Sequence, residues 1–208
     1  MSTPAPAGSE SETRAPTHLL YLHGFRSSPK SFKAQRLRAW MVANRPDVVW
    51  WCPQLPPDPE LALRQIEAGL AAWPGARWAV AGSSLGGFYA TVLAERHSLP
   101  AVVLNPAVDP ARDLAAHLGT QTTWHDPALQ FEFTAGHVDA LRRLTPGPLT
   151  GLSRYTAVIA QGDELLDWRE MAARYAGSHL RIVPGSDHAL SDFDDHLPFV
   201  VQALALTP

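Results

Sequence analysis

The 208-residue chain contains a single cysteine, Cys52. One thiol excludes an internal disulfide framework and any zinc site built from several thiolates, and it suits a reducing compartment. Nowhere do about 18 apolar residues run uninterrupted, and the opening MSTPAPAGSESETRAPT has neither the basic start nor the apolar stretch of a secretory signal. These absences lead to the expectation of a cytoplasmic protein with no membrane span. A basic excess is also missing: 17 Lys and Arg stand against 20 Asp and Glu, for a net charge of -3. Such a balance gives no electrostatic reason to expect nucleic acid or an anionic membrane as partner. Charged residues make up only 18% of the chain while 46% are hydrophobic, which rules out the composition of a disordered protein.

What is present is a rhythm. Residues 1 to about 16 are mostly Ala, Pro, Ser, Thr and Glu, with little to bury, and are expected to form a disordered tail. From 17 to 208 one domain is expected, because this length suits a single α/β core. Short runs apolar on both faces occur at 18–23, 47–52, 78–82, 101–105, 156–161 and 179–184. Between them lie segments of helical period at about 29–43, 59–73, 85–97, 167–176 and 198–205, the first with Ser28 as N-cap and Pro29 at the first helical position. Strands of this kind belong in a parallel sheet of about six members covered by helices on both faces, with the ligand site beyond their carboxyl ends. Residues 106–152 break the rhythm and are expected to form a small lid insertion with short helices at about 109–118 and 137–144. Its Trp124, Phe131 and Phe133 either line a pocket or pack the insertion onto the body.

The most specific local signal is Gly82-Ser83-Ser84-Leu85-Gly86, set after a strand run and before a helical one. That context is the one in which a G-x-S-x-G turn exposes a nucleophilic serine at the top of a sheet. The glycines choose between the two serines: Ser84 has one at two residues on either side, whereas Ser83 would have Ala81 and Leu85. A serine nucleophile needs a base and an orienting carboxylate, in the chain order Ser, acid, His. Asp163 and His188 each follow a strand run, with Gly162 and Gly185 marking the turns. Asp167, one helical turn past Asp163, reads as a helix cap but stays open as the alternative acid. Two backbone N–H groups for an oxyanion hole are expected from Leu85 and from Phe25, in the loop HGFRSSP after the first strand. His23 reads as a structural hydrogen-bonder. The acids of DHALSDFDDH (187–196) could in principle bind metal, but Asp192, Asp194 and Asp195 read better as the start of a last helix. No metal or other cofactor is therefore expected.

Taken together, YLHGFRSSPKS, GSSLGGFYA, NPAV, QGDELLD and GSDHAL resemble the YqiA-type esterases, a family of small α/β-hydrolases. The resemblance spans residues 18–206. It implies a compact α/β-hydrolase fold and a cytoplasmic serine esterase or thioesterase acting on a small-molecule acyl substrate, with Ser84, Asp163 and His188 as its triad. A non-catalytic binding module on the same fold is the alternative. The lid region departs from the family, so acyl-chain preference does not transfer, and the sequence leaves the oligomeric state open.

Overall fold

A computed structural model describes residues 15–207, so the tail expected at 1–16 lies almost wholly outside the described residues. Six parallel strands form the sheet: β1 (His18–Leu22), β2 (Val49–Trp51), β3 (Trp78–Ser83), β4 (Ala101–Leu104), β7 (Tyr155–Ala160) and β8 (His179–Val183), in the order β2-β1-β3-β4-β7-β8. The order runs outward in both directions from β1 and β3, which lie side by side with Leu22 paired to Gly82. Strands β3, β4 and β7 are buried along their whole length, in keeping with their unbroken apolar runs.

Alternation along the strands divides the core in two. One set of strand residues, including Leu20, Leu22, Val80 and Val103, packs beneath α2 (Pro59–Ala71), α3 (Leu85–His97), α5 (Ala135–Leu144) and α6 (Trp168–Arg174). The other set, including Leu19, Tyr21, Ala81 and Leu104, packs against α1 (Phe32–Asn44) and α7 (Phe193–Ala203). Two helix starts differ from the sequence expectation. Helix α1 begins after Ser31 and not after Ser28, because residues 28–31 close into a turn in which the Ser31 N–H donates to the Ser28 carbonyl at 3.0 Å. Helix α7 starts at Phe193, five residues before Pro198, since Phe193 and His196 are buried and hold the preceding turn in place.

The segment between β4 and β7 also differs. The short helix α4 (Pro110–Asp113) and a 3₁₀ turn at Ala115–His117 replace the single helix expected at 109–118. They are followed by an antiparallel hairpin, β5 (Gly119–Thr122) and β6 (Gln130–Phe133), which the sequence did not announce. Its strands are four residues long and mostly polar, too short for a period-2 pattern to register. Helix α5 forms near the expected place, capped by Thr134, whose hydroxyl accepts from the His137 N–H.

Backbone contact at the β3–α3 turn fixes how the sheet meets its helix. A Cβ on Gly86 would sit 1.9 Å from the Leu22 carbonyl oxygen, and one on Gly82 would sit 2.1 Å from the Gly86 oxygen. Both residues must therefore be glycine for β1, β3 and α3 to converge. Gly86→Ala should lower stability by at least about 3 kcal/mol or prevent folding, because the obstacle is backbone. Gly147→Ala, with nothing within 4 Å of the new Cβ, should change stability by less than about 1 kcal/mol. Urea midpoints check both, and equal midpoints would contradict the close approach.

Candidate active site

Ser84 occupies the turn between β3 and α3 with φ 56° and ψ -123°. A non-glycine residue in this region costs on the order of 1–3 kcal/mol and persists only where its surroundings dictate it. Here they do. The Ser84 N–H donates to the Leu104 carbonyl at 3.0 Å, and the Ser84 carbonyl accepts from Gly87 at 2.9 Å and Ala107 at 3.1 Å. The side chain thus stands over the sheet, beside the loop after β1: a Cβ on Gly24 would lie 3.2 Å from that of Ser84.

His188 lies in the loop after β8, and its Nε2 is 3.0 Å from Ser84 Oγ. Its Nδ1 faces both Asp163 oxygens, at 2.8 and 3.0 Å. The tautomer that satisfies all three groups puts the hydrogen on Nδ1, donating to Asp163, and leaves Nε2 to accept from the Ser84 hydroxyl. The Asp163 side chain is fully buried. Its Oδ1 also accepts from the N–H groups of Leu165 (2.9 Å) and Leu166 (2.8 Å), which fixes its orientation. Asp167 is elsewhere: it caps α6 by accepting from the Arg169 N–H. Asp187 is turned to Ser191, accepting from both its N–H and its hydroxyl. Of the carboxylates near these strand ends, the one that meets His188 through its ring is Asp163.

Two residues that support this arrangement were not singled out from the sequence. Asn105, fully buried with φ 41°, follows β4. Its Nδ2 donates to the carbonyls of Asp187 (3.0 Å) and His188 (3.1 Å), while its Oδ1 accepts from the Ala160 N–H at 2.8 Å. It ties the His188 loop to the end of β7. Glu164 accepts from the His188 N–H at 2.9 Å. An asparagine after a strand reads as an ordinary turn former, so the NPAV motif marked the first without giving it a role. The acid beside Asp163 was visible only as another carboxylate.

The loop after β1 is organised by His23. Its Nε2 accepts from the Leu55 N–H at 3.1 Å, so the hydrogen is on Nδ1, which donates to the Gly24 carbonyl at 3.0 Å. Burial pushes its pKa down from 6.5 to about 4, and it serves as a structural link with both nitrogens engaged by backbone. Arg26 joins the same loop to the hairpin: its Nε donates to the Thr122 carbonyl at 2.6 Å, its own carbonyl accepts from the Trp124 N–H at 2.8 Å, and its guanidinium stacks 4.1 Å from the Trp124 ring.

Two cavities flank this loop. One of about 390 Å³ is lined mainly by apolar groups, among them Phe25, Leu55, Leu85, Tyr89 and Phe131. The other, of about 500 Å³, contains Ser84 and His188. The three aromatics of the insertion therefore divide their roles. Phe131 lines the first cavity, Trp124 borders the second, and Phe133 is buried against Phe25 with ring centroids 4.9 Å apart. Cys52 takes no part, and burial pushes its thiol up to about 12. Asp192 and Asp194 sit at the N-cap and in the first turn of α7.

Residues 18–205 match the uncharacterised protein family UPF0227. The chain belongs to that family. It is the YqiA-like family that the five motifs resemble. Among solved structures it is similar to Est1E from Butyrivibrio proteoclasticus, at 17% identity and a TM-score of 0.65, covering 93% of this chain and 87% of that one. It is also similar to the metagenome-derived lipolytic enzymes LipS and LipT, at 15% identity and 0.66 over 92% and 94% of the chains. A Pyrococcus furiosus esterase matches at 15% identity and 0.61 over 92% and 82%. At these identities the likeness carries the fold, an α/β-hydrolase. Among the described residues no helix is long and apolar enough to cross a membrane.

The depressed pKa of His23 has a consequence for stability. The unfolded chain takes up a proton near 6.5 while the folded one holds out to about 4, so the contribution is fully present above pH 6.5 and is lost as pH falls toward 4. In urea titrations at pH 7.5, 6 and 4.5, His23→Gln should lose less stability on acidification than the native chain. Parallel pH profiles for the two would show that His23 does not fold in its neutral form.

Proposed function

We propose that this protein is a serine hydrolase that cleaves carboxylic ester or thioester bonds through an acyl-enzyme, with Ser84 as nucleophile, His188 as base and Asp163 as the orienting acid. The observation that carries the reading is the continuous hydrogen-bonded line from Ser84 Oγ through both ring nitrogens of His188 to Asp163. Nucleophile, base and orienting group in such an order are what activation of a hydroxyl requires. His188 takes the Ser84 proton as Oγ attacks the acyl carbon, and Asp163 stabilises the imidazolium that forms. The backbone N–H groups of Leu85 and Phe25 are assigned to the oxyanion. Leu85 opens α3, where the helix dipole favours negative charge. His188 then passes its proton to the departing alcohol or thiol, and water, deprotonated by the same ring, releases the acid. The apolar cavity beside Phe25, Leu85 and Phe131 suits the acyl group.

A fluorophosphonate probe should label Ser84 and nothing else. Ser84→Ala should abolish labelling and lower kcat on an activated ester by roughly 10⁴-fold or more, whereas Ser83→Ala should have a far smaller effect. A folded protein that neither labels nor turns over short esters would favour a binding module on the same fold. Between the acids, Asp163→Asn should cost at least about 10²-fold in kcat and Asp167→Asn less than about tenfold. The reverse order, on variants with native circular dichroism, would transfer the role to Asp167.

A further inference from the structure

The cavity that contains Ser84 and His188 is lined on its α1 side by Tyr21, Ser31 and Lys33. Lys33 is 9% exposed. Its Nζ donates one hydrogen to the Ala189 carbonyl, which leaves two. Among the described residues no carboxylate forms an ion pair with it. The nearest acids, Asp187 and Asp163, attract it from a distance and are already engaged, the first by Ser191 and the second by His188 and two backbone N–H groups. The hydroxyls of Tyr21 and Ser31 are buried without a hydrogen-bond partner among the described residues. Ser31 is the N-cap of α1, yet its side chain makes no capping bond.

A buried ammonium is ordinarily paired, and buried hydroxyls are ordinarily hydrogen-bonded. Here a buried cation with no carboxylate partner and two N–H bonds to spare lines the cavity that holds Ser84 and His188, backed by two buried hydroxyls that have no partner of their own among the described residues. Burial pushes Lys33 down to about 8, which still leaves it charged at neutral pH. We infer that this wall is a carboxylate subsite, and that the substrates it favours are esters whose alcohol portion bears a carboxylate. The inference rests on the hydrolase reading above, in which His188 protonates the leaving group, so that the alcohol portion occupies the cavity His188 lines. A monoanion fits better than a phosphate dianion. Asp113 lines this cavity and Asp163 and Asp187 lie near Lys33, so a second negative charge on the ligand would add repulsion from acids already in place.

Two butyrate esters differing only at the para position of the phenol test this, one carrying a carboxylate and the other a carboxamide. The native protein should prefer the carboxylate ester by about tenfold or more in kcat/KM, and Lys33→Met should bring the ratio to within about threefold of unity. A Lys33→Arg variant should retain part of the preference. A binding readout accompanies these rates: 4-hydroxybenzoate should slow fluorophosphonate labelling of Ser84 in the native protein, and 4-hydroxybenzamide should not. If both esters are cleaved without preference, or Lys33→Met slows both equally with the ratio unchanged, the subsite is overturned and Lys33 merely supports the Ala189 carbonyl. Should Lys33→Met fail to fold, absence of selective protection by 4-hydroxybenzoate in the native protein overturns it equally. Absence of any Ser84 labelling would instead sink the hydrolase reading, and the subsite with it.

Discussion

Everything in this molecule that bears on chemistry depends on how closely three backbone segments approach at the start of α3. The carbonyl of Leu22, the glycine turn 82–86 and the body of Gly86 occupy space that admits no Cβ. That contact sets the height of Ser84 above the sheet and forces its backbone into a region that serine disfavours. The strain is local. The restoring forces are spread over β1, β3 and β4, whose hydrogen bonds and buried side chains could relax only by giving up much of the core.

The remaining parts are brought to the serine by loops at the same edge of the sheet, and each loop is restrained by a buried polar side chain that reaches a different part of the chain. His23 ties the loop after β1 to Leu55, and Asn105 ties the loop after β8 to the end of β7. These residues are buried polar groups with every capacity named above used by backbone, the condition under which such groups confer order and not instability. Lys33 is the exception. It has capacity to spare, and it lines the cavity that holds Ser84 and His188.

Much of this was legible in the sequence, for identifiable reasons. The strands read clearly because they are apolar on both faces, and the turn around Ser84 read clearly because steric exclusion leaves only glycine at two fixed positions. Asp163 and His188 could be placed because each lies in the short loop after a strand and a parallel sheet gathers such ends together. The hairpin at residues 119–133 was not legible. Its strands are short and polar, and they are held by partners remote in the chain, notably Arg26. The start of α7 was legible through Asp192, Asp194 and Asp195 but not through Pro198, because burial of Phe193 outweighs the usual preference for proline in the first turn. Asn105 was visible only as part of the NPAV motif: its residue type is commonplace, and only the partners it reaches across 82 residues give it importance.

Arg26 follows Phe25 directly, and it holds the hairpin through its side chain, its carbonyl and its stacking on Trp124. The amide proposed to receive the developing negative charge is therefore one peptide unit away from the fastening of the structure that covers the site. The hairpin and the Phe25 amide form one mechanical unit. Displacing the hairpin far enough to break its bonds to Arg26 would also disturb the aim of the Phe25 N–H, so an opened protein would hold its serine and histidine in place while lacking full means to stabilise attack. On the proposed reading, attack at Ser84 would then be favoured only while the hairpin stays fastened.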